Sequence, residues 1–309
     1  MNCCGPWQTE YFCGSMMENS VSEKEVAALI SLLDDPDDGV FQSVRQRLQG
    51  FGTSVVPFLE RAWESSFDSV LQQRLEELIH HIQFEQLSLR LEGWFDDGGQ
   101  DLLEGVLLVN RYQYPDLDEE KVRDQLNALR NSIWLEINPN LTALELIRVF
   151  NHMLFEVHGF MGNTTNYHAP QNSWLNHLLE SKKGNPLMLS ILYLWLAQQL
   201  DVPVYGINLP EHFVLAYMQD QEEPAPDAKP RQVLFYINPF SKGTVFSRKE
   251  IDAFIKQLKL PYDPAYYEPC TNADMVRRLI RNLILSFDKL GYKEKSEELK
   301  LLLNKSFNA

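Results

Sequence analysis

The chain has 309 residues, 44% hydrophobic and 23% charged, with 28 Lys and Arg against 43 Asp and Glu and a net charge of −15. This is enough apolar chain for two or three small domains, or one large domain with additions. The acidic balance repels phosphate backbones and anionic lipid, which argues against nucleic acid and membrane surfaces as partners.

The N-terminus lacks the basic start and apolar run of a secretion signal. Cys3, Cys4 and Cys13 fall in a leader, residues 1–19, that is expected to be unstructured, while Cys270 stands alone. Met16 and Met17 precede the first helical pattern, so translation is expected to start near Met17. Adjacent cysteines without a second pair are a weak metal signal, and no metal or cofactor is assigned.

Residues 20–97 are expected to be helical throughout. Val26, Leu29, Ile30 and Leu33 make one apolar stripe at helical spacing. The run Asp34-Asp35-Pro36-Asp37-Asp38-Gly39 ends that helix and starts the next. It lacks the alternating ligands of a calcium loop, so an Asp-capped turn is expected. Val40, Val44 and Leu48 line a second face, Val55, Leu59 and Trp63 a third, and Leu71, Leu75, Leu78, Ile79 and Ile82 a fourth. Such short helices bury their stripes by stacking, and residues 29–63 resemble a HEAT-type repeat.

Residues 101–160 are again helical in pattern. An apolar helix is predicted over 186–200. Its longest apolar stretch, 186–197, is broken by Ser190 and falls short of the roughly 20 residues that span a bilayer. Strands are predicted over 202–209, 212–219 and 232–239, with a Pro-rich, charged loop at 220–231. From residue 263 a helical tail follows, in which Val276, Leu279, Ile280, Leu283, Ile284 and Phe287 form a face suited to docking. Helical flanks around a strand cluster give an α+β fold class.

Chemistry concentrates between residues 172 and 238. Asn185 suits a helix N-cap and Pro186 the first helical turn. A helix apolar on most sides is buried, and its N-terminus offers a positive dipole end. Antiparallel pairing about residue 225 or 226 sets position 212 opposite roughly 239, so His212 and Asn238 are expected side by side. An Asn can orient an imidazole as an Asp does.

These residues carry a resemblance. Asn172-Ser173-Trp174-Leu175, Lys183-Gly184-Asn185-Pro186-Leu187-Met188-Leu189-Ser190, Val204-Tyr205-Gly206-Ile207-Asn208-Leu209-Pro210-Glu211-His212-Phe213 and Tyr236-Ile237-Asn238-Pro239-Phe240-Ser241-Lys242-Gly243 follow in order. Together they resemble the divergent bacterial branch of the transglutaminase-like superfamily, the Sir-type invasion-regulator-like proteins, over about residues 100–255. Residues 275–303 resemble that branch's helical extension. The resemblance implies a papain-like core, residues 98–262, with a helix packed on a small antiparallel sheet. It also implies a nucleophile at or beside Pro186, a histidine at His212 and an acid at Asn238, with Asn172, Gly184, Asn185, Ser190 and Asn208 as pocket candidates.

Acyl transfer on this scaffold needs a thiolate, and no cysteine lies between Cys13 and Cys270. Two functions remain open. One is a non-catalytic, cytoplasmic module that binds a protein partner. The other is a residual hydrolase or acyl-transferase that uses His212 and Asn238 with Ser190 or Cys270 as nucleophile. Asn172 is expected to cap the helix after it, and His152, His158, His168 and His177 are too scattered to suggest a metal site.

Overall fold

The computed structural model describes residues 22–219 and 232–307. Cys3, Cys4, Cys13, the expected leader, the start near Met17 and the 220–231 loop lie outside the described residues. The chain divides into two compact units, one ending at Gln86 and the other starting at Leu87. Among the described residues, no helix is long and apolar enough to cross a membrane.

The first unit is helical: α1 (Glu23–Ile30), α2 (Asp38–Gln49), α3 (Val56–Ser65) and the start of α4 (Ser69–Asp96). The Asp-rich run is a turn and a cap. Asp35 accepts the Asp37 amide at 2.8 Å, and Asp37 accepts the amides of Gly39 and Val40 at 2.8 and 3.4 Å. Val26, Leu33, Val44, Leu48, Leu59 and Leu75 fill the core. Trp63, expected on the buried face of α3, stands at the rim, 37% exposed. Its indole N–H donates to Glu76 at 2.8 Å, a bond that a dry core would not supply.

The second unit begins with α5 (Leu102–Arg111), α6 (Glu119–Glu136) and α7 (Ala143–Asn151), which runs into a π-helical turn, His152–Val157. The strands β1 (Met161–Gly162) and β2 (Lys183–Gly184) flank α8 (Leu175–Ser181) and pair in parallel. Next come α9 (Pro186–Gln198), β3 (Val204–Ile207), β4 (Val214–Met218), β5 (Val233–Asn238) and β6 (Thr244–Phe246), then α10 (Arg248–Gln257), α11 (Asn272–Leu290) and α12 (Lys293–Lys305). The strands β3 to β6 form one antiparallel sheet in chain order.

The α9 helix is the centre of this unit. Every residue from Pro186 to Ala197 except Trp195 is buried, as its nearly continuous apolar sequence requires. It packs against β3 and β4 on one side and meets α8 and α11 on others. The helix-on-antiparallel-sheet arrangement is an α+β fold. The apolar face of α11, with Met275, Val276, Leu279, Ile280 and Leu283 fully buried, docks against α5, α9 and α12. At roughly 1.5–3 kcal/mol per buried large apolar side chain, this face binds α11 tightly to the unit.

Candidate functional site

The N-terminus of α9 is held by its own sequence. Asn185, in the extended region and 8% exposed, accepts the Met188 amide at 2.8 Å, and its side-chain NH₂ donates to the buried Ser173 hydroxyl at 2.8 Å. Its backbone N–H donates to the Asn172 carbonyl at 3.2 Å. Asn172 does not cap α8; Trp174 takes that position. The Asn172 side chain instead donates to the carbonyls of Asn166 and Tyr167 at 2.7 and 3.1 Å and accepts from Asn163 at 2.9 Å. Carbonyls of an irregular loop lack the partners that a helix or sheet supplies, and Asn carries donors and acceptor together.

Across from this helix end lies the β3–β4 connection. It turns tightly: the His212 amide donates to Pro210 at 2.7 Å, and Glu211 adopts φ +59°. His212 is exposed, its ring 4.9 Å from that of Phe254. Asn208 accepts a bond from the Arg278 guanidinium, which also donates to the Leu209 carbonyl at 2.6 Å.

The helix end, this connection, the 167–169 loop and one face of α11 border an open cavity of about 880 Å³. Of the sequence-predicted residues, Asn185, Pro186, Asn208 and His212 line it together. Gly184 lies behind it in β2, where a Cβ would meet Leu178 at 2.9 Å. Asn238 is not in the described lining. Its carboxamide oxygen accepts the amides of Phe240 and Ser241 at 3.1 and 3.3 Å and caps the turn Pro239–Ser241.

The register expected to set position 212 opposite 239 is not the one formed. Tyr217 pairs with Phe235 but Met218 pairs with Val233, and this irregularity shifts the ladder by one residue. The register that joins Leu215 to Ile237 leaves His212 outside the ladder. No hydrogen bond joins His212 to Asn238 among the described residues.

The two alternative nucleophiles fare no better. Ser190 is completely buried and its hydroxyl donates to the Pro186 carbonyl at 2.7 Å. Cys270 sits beside β3, its amide bonded to the Gly206 carbonyl at 2.9 Å, and burial, reinforced by the Asp274 carboxylate, pushes its thiol up to about 12. Among the described residues, neither lines the cavity or has a hydrogen bond to His212. The cavity's own serine, Ser286, is tied back to the Asn282 carbonyl at 2.9 Å. The four scattered histidines stay apart: His152 meets Glu156, His158 meets Ser132, His168 meets Lys289 and His177 meets Ser181.

Sequence reasoning expected α11 as a helical tail docked on the core by its apolar face and missed its polar side. Arg278, Arg281, Asn282 and Lys289 line the cavity from that side. The available signal was the polar side of an amphipathic helix, where these positions recur at helical spacing opposite the apolar stripe.

Residues 120–281, more than half of the chain, match the model of the transglutaminase-like superfamily, and the chain belongs to that superfamily. The matched region excludes the N-terminal helices. The UPF0162 protein of Xylella fastidiosa strain 9a5c is 29% identical over 198 residues, 61% of this chain and 65% of that protein. UPF0162 protein YchA of Escherichia coli K12 is 25% identical over 207 residues, 67% of this chain and 72% of that protein. F-box only protein 21 of Mus musculus is 23% identical over 257 residues, 75% of this chain and 39% of that protein. The chain thus spans just under two thirds of the Xylella relative and well under half of the mouse one. No solved structure gives a significant match.

Proposed function

We propose that this member of the transglutaminase-like superfamily is a non-catalytic module that binds at the cavity beside α9 and acts through a protein partner. The observation that carries the proposal is Pro186. It occupies the first turn of the buried helix, lines the cavity with His212, and has neither a nucleophilic side chain nor an amide hydrogen to offer an oxyanion. The positions of Ser190 and Cys270 support the same view, because a nucleophile must reach its base. His212 and Asn238 are then vestiges of a catalytic arrangement, and the net charge of −15 favours a protein over nucleic acid as partner.

The test is turnover. Purified full-length protein is incubated with peptide, amide and amine-acceptor substrates beside a His212→Ala variant. The expected result is product at the uncatalysed rate in both. Turnover that saturates with substrate and disappears in His212→Ala would overturn the proposal.

A further inference from the structure

Several arginines of this acidic chain pair with carboxylates: Arg47 with Glu25 at 2.7 Å, Arg90 with Glu104 at 2.9 Å, Arg111 with Glu119 at 2.7 Å and Arg277 with Asp274 at 3.5 Å. Others, such as Arg74 and Arg130, bond to neutral oxygens instead. The cavity beside α9 gathers cations that lack a carboxylate among the described residues. Arg278, Arg281 and Lys289 all line it, and Glu211 is the single carboxylate in its described lining. None of the three cations has a carboxylate partner among the described residues.

Arg278 is the most constrained of the three. It is half-buried, and its hydrogen bonds among the described residues go to neutral oxygens, those of Asn208 and Leu209. Burial disfavours its charged form; Cys270 and Tyr167 oppose that, and the like charge of Arg281 makes a smaller addition to it. Two carbonyl-type acceptors fix the direction of a guanidinium but do not neutralise it, and a guanidinium carries five N–H donors. Lys289 holds its ammonium 3.0 Å from His168 Nε2, again a partner without a negative charge when neutral. The Phe213 and Phe307 rings, 5.8 and 5.6 Å from the guanidiniums of Arg278 and Arg281, offset part of their charge. Cations clustered on one wall without a carboxylate still repel one another, and a bound anion relieves that repulsion.

Size narrows the ligand. A cavity of about 880 Å³ is far larger than one phosphate needs and lies in the range of small-molecule sites. Leu187, Leu209 and Leu285 add apolar lining for a carbon body. We propose that the cavity holds a metabolite-sized organic polyanion whose phosphate or carboxylate groups lie among Arg278, Arg281 and Lys289. This rests on the binding role proposed above and names the chemistry of what is bound.

Isothermal titration of the full chain with pyrophosphate, and separately with citrate, tests it against sodium chloride at matched ionic strength. Saturable binding of at least one probe is expected, weakened about tenfold or more by Arg281→Gln and by Lys289→Gln. Both side chains are exposed, so these variants keep the fold, and an unchanged urea midpoint verifies it. Response to pyrophosphate alone identifies a phosphoryl ligand, and response to citrate alone a polycarboxylate. Absence of binding by both probes, or affinity untouched in both variants, would overturn the inference. Heat reads binding and product reads turnover, so the two proposals fail separately: catalysis would leave an anion site standing, and a missing anion site would leave the protein non-catalytic.

Discussion

Asn185 sets the helix end on which the site is built, and its removal has a calculable cost. In Asn185→Ala the Met188 amide loses its acceptor and the buried Ser173 hydroxyl loses a donor. An exposed N-cap replaced by Ala costs about 1 kcal/mol, because water takes over the orphaned amide. Met188 is 0% exposed, so water does not reach it, and a stranded buried donor costs roughly 1–3 kcal/mol. By the same reasoning the expected loss is about 2–3 kcal/mol. Asn185→Asp keeps the acceptor for Met188, places a negative charge at the positive end of α9, and lets the Ser173 hydroxyl donate instead, so its loss should stay near about 1 kcal/mol. Urea unfolding followed by tryptophan fluorescence, with Trp174 buried beside the site, reads both values. Amide exchange at Met188 reads the cap directly. Equal losses in the two variants, or a loss below about 0.5 kcal/mol in Asn185→Ala, would refute the reasoning by showing that the cap is not the interaction that matters.

Three further outcomes are expected. Gly243 has φ +70°, and a Cβ there would overlap the Asn151 carboxamide, which donates to the Gly243 carbonyl at 2.8 Å and accepts from Tyr193 at 3.2 Å. Gly243→Ala should therefore lower stability by roughly 2–4 kcal/mol, from the left-handed backbone and the displaced bonds together, and a urea midpoint near wild type would contradict this. Burial, with the Lys182 cation adding to it, lowers the pKa of His158, so the folded state holds it neutral while the unfolded chain takes up a proton first as pH falls. Its contribution is complete above about pH 6.5 and is lost as pH falls below that value; His158→Gln should flatten the decline of the urea midpoint there, and parallel declines would disprove the assignment. With Cys3, Cys4 and Cys13 replaced by Ser, a thiol held at about 12 should leave Cys270 on the order of 10³-fold slower toward a thiolate-specific reagent at pH 8 in the folded state than in denaturant. Equal rates in the two states would show an accessible thiolate.

The parts of this fold that sequence conveys are those encoded within one segment. Asn185-Pro186 before an apolar run signals the start of α9, and the all-round apolarity of that run signals its burial, because capping and hydrophobicity act over a few residues. Sheet register is different. Counting from the loop centre sets position 212 against 239, and the irregularity between Tyr217 and Met218 moves the ladder by one. A bulge depends on how two strands twist against each other and leaves little local trace. The cationic wall is illegible for another reason. Arg278, Arg281 and Lys289 look like the solvated side of any amphipathic helix, and they become cavity residues only because α9 and the β3–β4 connection close the space they face.

Asn238 and Pro186 show how little residue identity says about catalysis at a capped position. Asn238 sits at the head of the turn Pro239–Ser241, where Asn, Asp and Ser all serve, so local backbone geometry accounts for it without reference to a histidine. Pro186 is equally well explained by its place, since proline is favoured in the first helical turn. The chemical consequences differ between the two positions. A capping Asn in another arrangement is able to orient an imidazole, so its local explanation leaves room for a chemical role. Proline carries no nucleophile in any arrangement, and its local explanation leaves none. The weight of the non-catalytic proposal therefore rests on Pro186, with the buried hydroxyl of Ser190 one turn further along the same helix closing the nearest substitute.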